Sequence, residues 1–338
     1  MTRDDQVLST PRRLAPGLAL ATLAVGAAVA AWRLQPSVSP LLTGLLIGAL
    51  LANLPRLPAG LWRAADPGLR FASKRLLRIG IVLLGLQLVL EEIVALGIGL
   101  IVSAVFIVAA SMLSILYIGG RIGISLRMRI LIASGFSICG AAAVAAVGDV
   151  VKGDEEDVAV SLGLVVLFGS IMIPVIPLAG MLLGMPDVQI AVWAGGSILE
   201  VAQVVAAAGA VGTGLLATAV LVKLSRVLML APVVITISAV QRRGAGSNPG
   251  ARPAPIPLFV AGFLCAVLVR STLDIPQPWL EGAAWLQVIL MSAAMFALGC
   301  GVRLGNLRGV GWKPLLLGCC AVASVSVYAL SSVMVVAA

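Results

Sequence analysis

Eleven apolar runs follow one another along this chain, and their recurrence decides what it can become. They fall at 16–33, 38–54, 70–90, 94–118, 129–150, 157–182, 189–211, 213–239, 255–271, 282–302 and 313–337. A helix needs about 20 apolar residues to cross the ~30 Å hydrocarbon core of a bilayer. Of 338 residues, 61% are hydrophobic and 11% charged, against about 25% charged in soluble domains. No water-soluble fold can hide that much apolar surface. A β-barrel would show short alternating strands, whereas these runs are continuous. The predicted fold class is all-α: a polytopic membrane protein of about eleven transmembrane helices, with an inverted repeat and interrupted helices. Its parts are a cytoplasmic tail over 1–15, eight spans over 16–239, a flexible cytoplasmic linker over 240–254 and three spans over 255–338, all in one integral membrane domain.

A net charge of +9 would suit a nucleic-acid binder, but the basic residues sit at span ends, so no nucleic-acid partner is expected. Lys and Arg mark the cytoplasmic side of membrane proteins. Assigning loops alternately gives 18 basic residues on the N-terminal side and three (Arg33, Lys152 and Arg270) on the other, with Lys223 and Arg226 inside a span. This predicts a multi-pass protein of the inner (plasma) membrane with the N-terminus cytoplasmic and the C-terminus outside. It also places the acidic cluster Asp149, Asp154, Glu155, Glu156 and Asp157 outside.

Other chemistry is thin. There is no histidine, the commonest metal ligand and neutral-pH proton carrier. No phosphate-binding G-x-x-x-x-G-K-[ST] loop or H-E-x-x-H motif occurs. No metal, no cofactor and no enzymatic activity are expected. The five cysteines all lie in apolar runs and read as small hydrophobes. A weak internal repeat matches 40–50 with 257–268 and 83–88 with 297–302, seven spans apart. An odd offset makes the copies face opposite ways, as in many secondary transporters.

The stretch 191–239 is almost wholly apolar yet carries Glu200, Gln203, Lys223 and Arg226. A charge at mid-bilayer costs about 2.5–3.5 kcal/mol even on the lenient insertion scale, so intramembrane charges read as functional by default. Gly195 and Gly196 weaken the helix there. Ser197 and Glu200 match the capping box S-x-x-E, so a second half-helix is predicted to begin at Ser197. A half-helix N-terminus attracts anions. Glu200 and Lys223 each lie about 15 Å from the nearest predicted span start, at 1.5 Å per residue. That depth permits a Glu200–Lys223 pair. The purely structural alternative is a capping box plus a buried ion pair locking two helices. In the fifth span, Ser137, Cys139 and Gly140 lie near mid-span among small residues that permit unwinding. Pro174, Pro177 and Pro232 are predicted kinks, and Arg303 is predicted to snorkel to the cytoplasm.

Three segments, Phe136–Ala146, Gly196–Ala207 and Val222–Val233, resemble the YeiH family, to which sulfate export has been attributed. The resemblance covers roughly 38–337. It implies kinship with cation/proton antiporter and bile-acid transporter folds, hence an inverted repeat with crossing, interrupted helices. The family's motif has a histidine just before the glutamate; here that position is Leu199, which throws more weight onto Glu200.

The reading is a secondary transporter, an exporter, of a small anion such as sulfate or an organosulfonate. Its substrate-binding residues are Ser137, Cys139, Gly140, Gly196, Ser197, Glu200, Gln203, Lys223 and Arg226. The expected partners are the small anionic solute, a coupling proton or sodium ion, the lipid bilayer and a second copy in a homodimer. The alternatives are a cation/proton antiporter using Glu200, and an intramembrane enzyme clamping a lipid phosphate with Lys223 and Arg226.

Overall fold

A computed structural model describes residues 11–35, 39–54, 59–95, 97–244, 257–301 and 311–336. The predicted tail before Pro11, most of the linker and Arg303 lie outside them. Every regular element among the described residues is a helix, with no strand among them. Six helices are long and apolar enough to cross a membrane. The chain forms two compact units, one from Met1–Gln87 with Leu273–Gly309 and one from Leu88–Thr272 with Val310–Ala338.

The first unit holds α1 (Pro11–Leu34), α2 (Pro40–Ala52), α3 (Ala59–Phe71), α4 (Leu77–Leu84) and α15 (Gln277–Cys300). A π-turn, Ala72–Leu76, joins α3 to α4. Helix α3 fills what the charge count treats as a loop. It buries Ala65 and Leu69 against Ala21 and Val25 of α1 and leaves Arg63 and Arg70 exposed. Lipid supplies no hydrophobic drive between helices, so close backbone approach through small residues does the packing. A Cβ on Gly44 of α2 would stand 2.7 Å from the Ser292 carbonyl oxygen of α15. Gln87 and Gln287 hydrogen-bond at 2.6 Å.

The second unit holds α5 (Leu90–Ala95), α6 (Ile98–Ile122), α7 (Leu126–Ser134), α8 (Ala141–Val151), α9 (Glu155–Leu182), α10 (Asp187–Ser197), α11 (Val201–Val211), α12 (Leu216–Leu228), α13 (Leu230–Gly244), α14 (Leu258–Thr272) and α16 (Lys313–Val336). Helix α13 runs into the predicted linker as far as Gly244. Pro232 sits just past the break between α12 and α13, whereas α9 continues as one helix through Pro174 and Pro177.

Two of the eleven runs do not cross. Helix α7 enters and α8 returns beside it. Arg127 and Asp154, at the two ends of this segment, stand 3.9 Å apart. A Cβ on Gly153 would stand 3.3 Å from Leu131 of α7, and one on Gly135 would stand 2.5 Å from Val144 of α8. Helices α10 and α11 make a second hairpin. The turn Thr213–Leu215 after α11 packs back against α10, and α13, the far half of the next span, packs against α8. The two hairpins therefore enter from opposite ends of the unit. At 11 residues and 1.5 Å per residue, each of α8, α10 and α11 is about 16 Å long, roughly half of a ~30 Å core.

The alternating loop assignment is corrected accordingly. Lys152 and the acidic cluster emerge at the end that carries Arg121, Arg127 and Lys313, and residues 183–186 emerge at the other end. The two miscounted half-spans cancel, so every later loop keeps its side. The inversion is now visible inside this unit: α6 and the first hairpin repeat, upside down, as α9 and the second.

Candidate functional site

The two hairpin tips meet in the interior of the second unit. At the first tip a π-turn, Gly135–Cys139, ends at Gly140. Gly140 has φ 76° and ψ −131°, a region essentially restricted to glycine. At the second tip α10 ends at Ser197, Ile198 and Glu200 are extended, and α11 starts at Val201. The tips touch: a Cβ on Gly140 would stand 2.8 Å from Glu200 Cγ and 3.2 Å from the Leu199 carbonyl oxygen. Side-chain size therefore forces glycine here as firmly as the dihedral angles do.

Helix C-termini at the tips leave carbonyls without partners, and α12 supplies them. Arg226 donates through Nε and Nη2 to the Ser137 carbonyl at 3.1 and 2.8 Å. Its Nη2 also reaches Phe136 O at 2.9 Å. Nη1 reaches Gly196 O at 2.6 Å and Ile198 O at 3.3 Å. Lys223 Nζ donates to Ile138 O at 2.7 Å. Both side chains are fully buried. A guanidinium has five N–H donors, and these contacts engage all of them, so Arg226 keeps no donor for a solute. Lys223 and Glu200 form no direct ion pair; the lysine is drawn to the carbonyl instead. They also sit in segments that enter from the same end.

The helix N-terminus at the second tip belongs to Glu200. Glu200 is the N-cap of α11 and forms a reciprocal capping box with Gln203, whose Oε1 accepts from the Glu200 amide at 3.2 Å. The box thus lies three residues later than Ser197–Glu200. Ser197 instead ends α10, its hydroxyl donating to Trp193 O at 2.6 Å. The Glu200 side chain also packs on the first tip, its Cγ lying against Gly140, which precedes α8. The carboxylate of Glu200 thus sits at the positive end of α11. Cys139, also buried, ends the π-turn just before Gly140. Leu199, just before Glu200, is fully buried.

Two features escape the motif reading. Ser111 of α6 donates to Ser137 Oγ at 2.8 Å. It lies in an unremarkable apolar run, so nothing in the sequence marks it. The other left a readable signal. Gly135-Phe-Ser-Ile and Gly195-Gly-Ser-Ile stand sixty residues apart, as do the starts of α8 and α11. In this register Gly140 matches Glu200, so the first copy lacks the capping side chain that the second carries. Arg226 binds carbonyls of both copies near their local two-fold.

A cavity of about 10 Å³ lies behind Arg226, lined among others by Ser103, Gly196, Val222 and Ser332, about the room one water needs. No cluster able to hold a metal occurs among the described residues.

Opposed hairpins around buried charges define a polytopic helical membrane protein with a charged centre where their tips meet. The chain belongs to the family described as Conserved hypothetical protein 698, whose model matches residues 16–318. A UPF0324 membrane protein of Corynebacterium glutamicum is 46% identical, covering 90% of this chain and 88% of the relative. One of Pseudomonas aeruginosa is 35% identical, covering 92% and 91%. The UPF0324 inner membrane protein YeiH of Escherichia coli is 34% identical, covering 89% and 88%. No solved structure matches.

Proposed function

We propose that the chain is a secondary transporter of a small anion, sulfate or an organosulfonate being the leading substrates, and that the meeting hairpin tips are its transport site. The observation that carries this reading is the opposed pair of half-depth hairpins. Backbone that is not helical at membrane depth is tolerated only when it is packed in protein or lines a cavity, and half-helix ends are where membrane transporters hold ions.

Net charge favours an anion. The site holds one carboxylate and two cations, and the helix N-termini add partial positive charge around Glu200. This weighs against the cation/proton antiporter, whose cargo would meet a net positive centre. Ser137 and Gly196 serve through carbonyls already held by Arg226, leaving Lys223, Glu200, Gln203 and Cys139 to face a solute. Placement in the inner membrane follows the naming of the Escherichia coli relative, and a cytoplasmic N-terminus follows from the basic residues.

The test is counterflow in proteoliposomes, with labelled sulfate, sulfite, thiosulfate, taurine, sulfoacetate, phosphate or a carboxylate on one side. Accumulation of one anion against its own gradient is expected. Exchange of sodium for protons with no anion counterflow would overturn the reading.

A further inference from the structure

The second unit's centre holds an uneven set of charges. Among the described residues, the buried charged side chains are Glu200, Lys223 and Arg226. We infer that Glu200 is a charge-matching proton site: it binds one proton with each doubly charged anion and none with a singly charged one. This rests on reading the tips as the transport site.

Three observations meet here. First, Glu200 has no counter-ion. It is 8% exposed, and its carboxylate makes no ion pair among the described residues. Second, the two cations are held elsewhere. Arg226 engages all its donors with tip carbonyls, and Lys223 donates to Ile138 O at 2.7 Å. Neither therefore fixes Glu200 in its ionised form. Third, nothing else beside Glu200 adjusts the charge. Helices α9, α10 and α12 pack against α11. Helix α9 is uncharged from Val158 to Leu182 and α10 from Val188 to Ser197, and α12 brings only Lys223 and Arg226. The facing tip brings Cys139, next to Gly140, whose added Cβ would stand 2.8 Å from Glu200 Cγ. A thiol carries no charge, and the chain has no histidine.

Net charge in a water-poor interior is costly, so bound states that sum to zero are favoured. With Glu200 ionised, the centre carries one positive charge, which a singly charged alkylsulfonate cancels. Sulfate, with two charges, overshoots and leaves one negative charge. A proton on a Glu200 carboxylate oxygen removes that excess, and it leaves again when the dianion does. Both proposed substrate classes then fit one centre, sulfate with a proton and an organosulfonate without.

The experiment uses the purified full-length protein in detergent and its thermal unfolding with sodium sulfate or sodium methanesulfonate at equal ionic strength. Linkage of one proton changes a binding constant by up to about tenfold per pH unit, so the half-saturating sulfate concentration should rise about tenfold or more between about pH 6 and about pH 8. Methanesulfonate should show no such rise. Glu200→Gln should bind sulfate equally at both pH values. If that variant does not fold, the contrast between the two anions on the wild type carries the test. Four results overturn the inference: a flat sulfate response in the wild type, a parallel rise for both anions, stabilisation by neither, or a pH response kept by folded Glu200→Gln. In proteoliposomes with an internal pH dye, a sulfate gradient should move protons the same way and a methanesulfonate gradient none. Sulfate counterflow without proton movement removes the proton site and leaves the transporter; pH-linked sulfate binding without counterflow of any anion does the reverse.

Discussion

Arg226 permits a quantitative test of what holds the tips together. Arg226→Met keeps most of the side chain's volume and removes every donor. Four carbonyls, of Phe136, Ser137, Gly196 and Ile198, then lose their charged partner. A buried acceptor left unsatisfied costs about 1–3 kcal/mol, so the upper bound is about 12 kcal/mol. Against this, the variant avoids the several kcal/mol of desolvation that a buried guanidinium costs, and the tips relax. The net destabilisation expected is about 3–5 kcal/mol, the range for breaking a buried charged contact. At about 2–4 °C per kcal/mol, the unfolding midpoint should fall on the order of 10 °C. The assay is tryptophan-monitored thermal unfolding in detergent at one fixed scan rate, since large membrane proteins unfold irreversibly. Arg226→Lys, with one charge but no fork, should fall between. A wild-type midpoint for Arg226→Met with loss of anion response would refute the reasoning, making Arg226 a solute ligand.

Further outcomes are expected. Gly140→Ala adds a strained dihedral of about 1–3 kcal/mol to a contact with Glu200, and should lower folded yield by size-exclusion chromatography more than Gly163→Ala, where the added carbon meets nothing. Lys223→Met should weaken anion-induced thermal stabilisation; an undiminished shift removes Lys223 from the site. In a background without native cysteines, Arg127→Cys and Gly153→Cys should react with an impermeant maleimide from the same membrane face, and Gly184→Cys from the other. Labelling of 127 and 153 from opposite faces would refute the first hairpin. Ser111→Ala should cost about 1 kcal/mol, one hydrogen bond, read as a small fall in the unfolding midpoint.

Much of the fold is legible in the sequence because length and apolarity are what a bilayer selects. Among the described residues every apolar run forms helix, and the buried charges of 191–239 do converge. Hydropathy misses the return of a chain. Residues 129–150 have the length and apolarity of a straight crossing, and only the small cluster around Cys139 and Gly140 marks the turn. The charge bias cannot repair this, because the second hairpin restores the parity that the first one changes. The cap at Glu200 was readable three residues out of register, since S-x-x-E and E-x-x-Q both fit the local pattern and only the backbone chooses. The partner of Lys223 was not readable at all: a carbonyl at a helix end has no letter of its own.

The spacing between Phe136 and the cation that satisfies it has a consequence for how the protein is made. Arg226 comes 90 residues after Phe136. At a synthesis rate of about 5–20 residues per second, the first hairpin waits roughly 5–20 seconds with its tip carbonyls unmatched. It cannot settle in lipid during that time, where each bare backbone group costs several kcal/mol. The tip must stay near water, in the insertion machinery or at the membrane surface, until α12 arrives. A chain halted at residue 211 should therefore leave its first hairpin open to protease, and one halted past 244 should protect it.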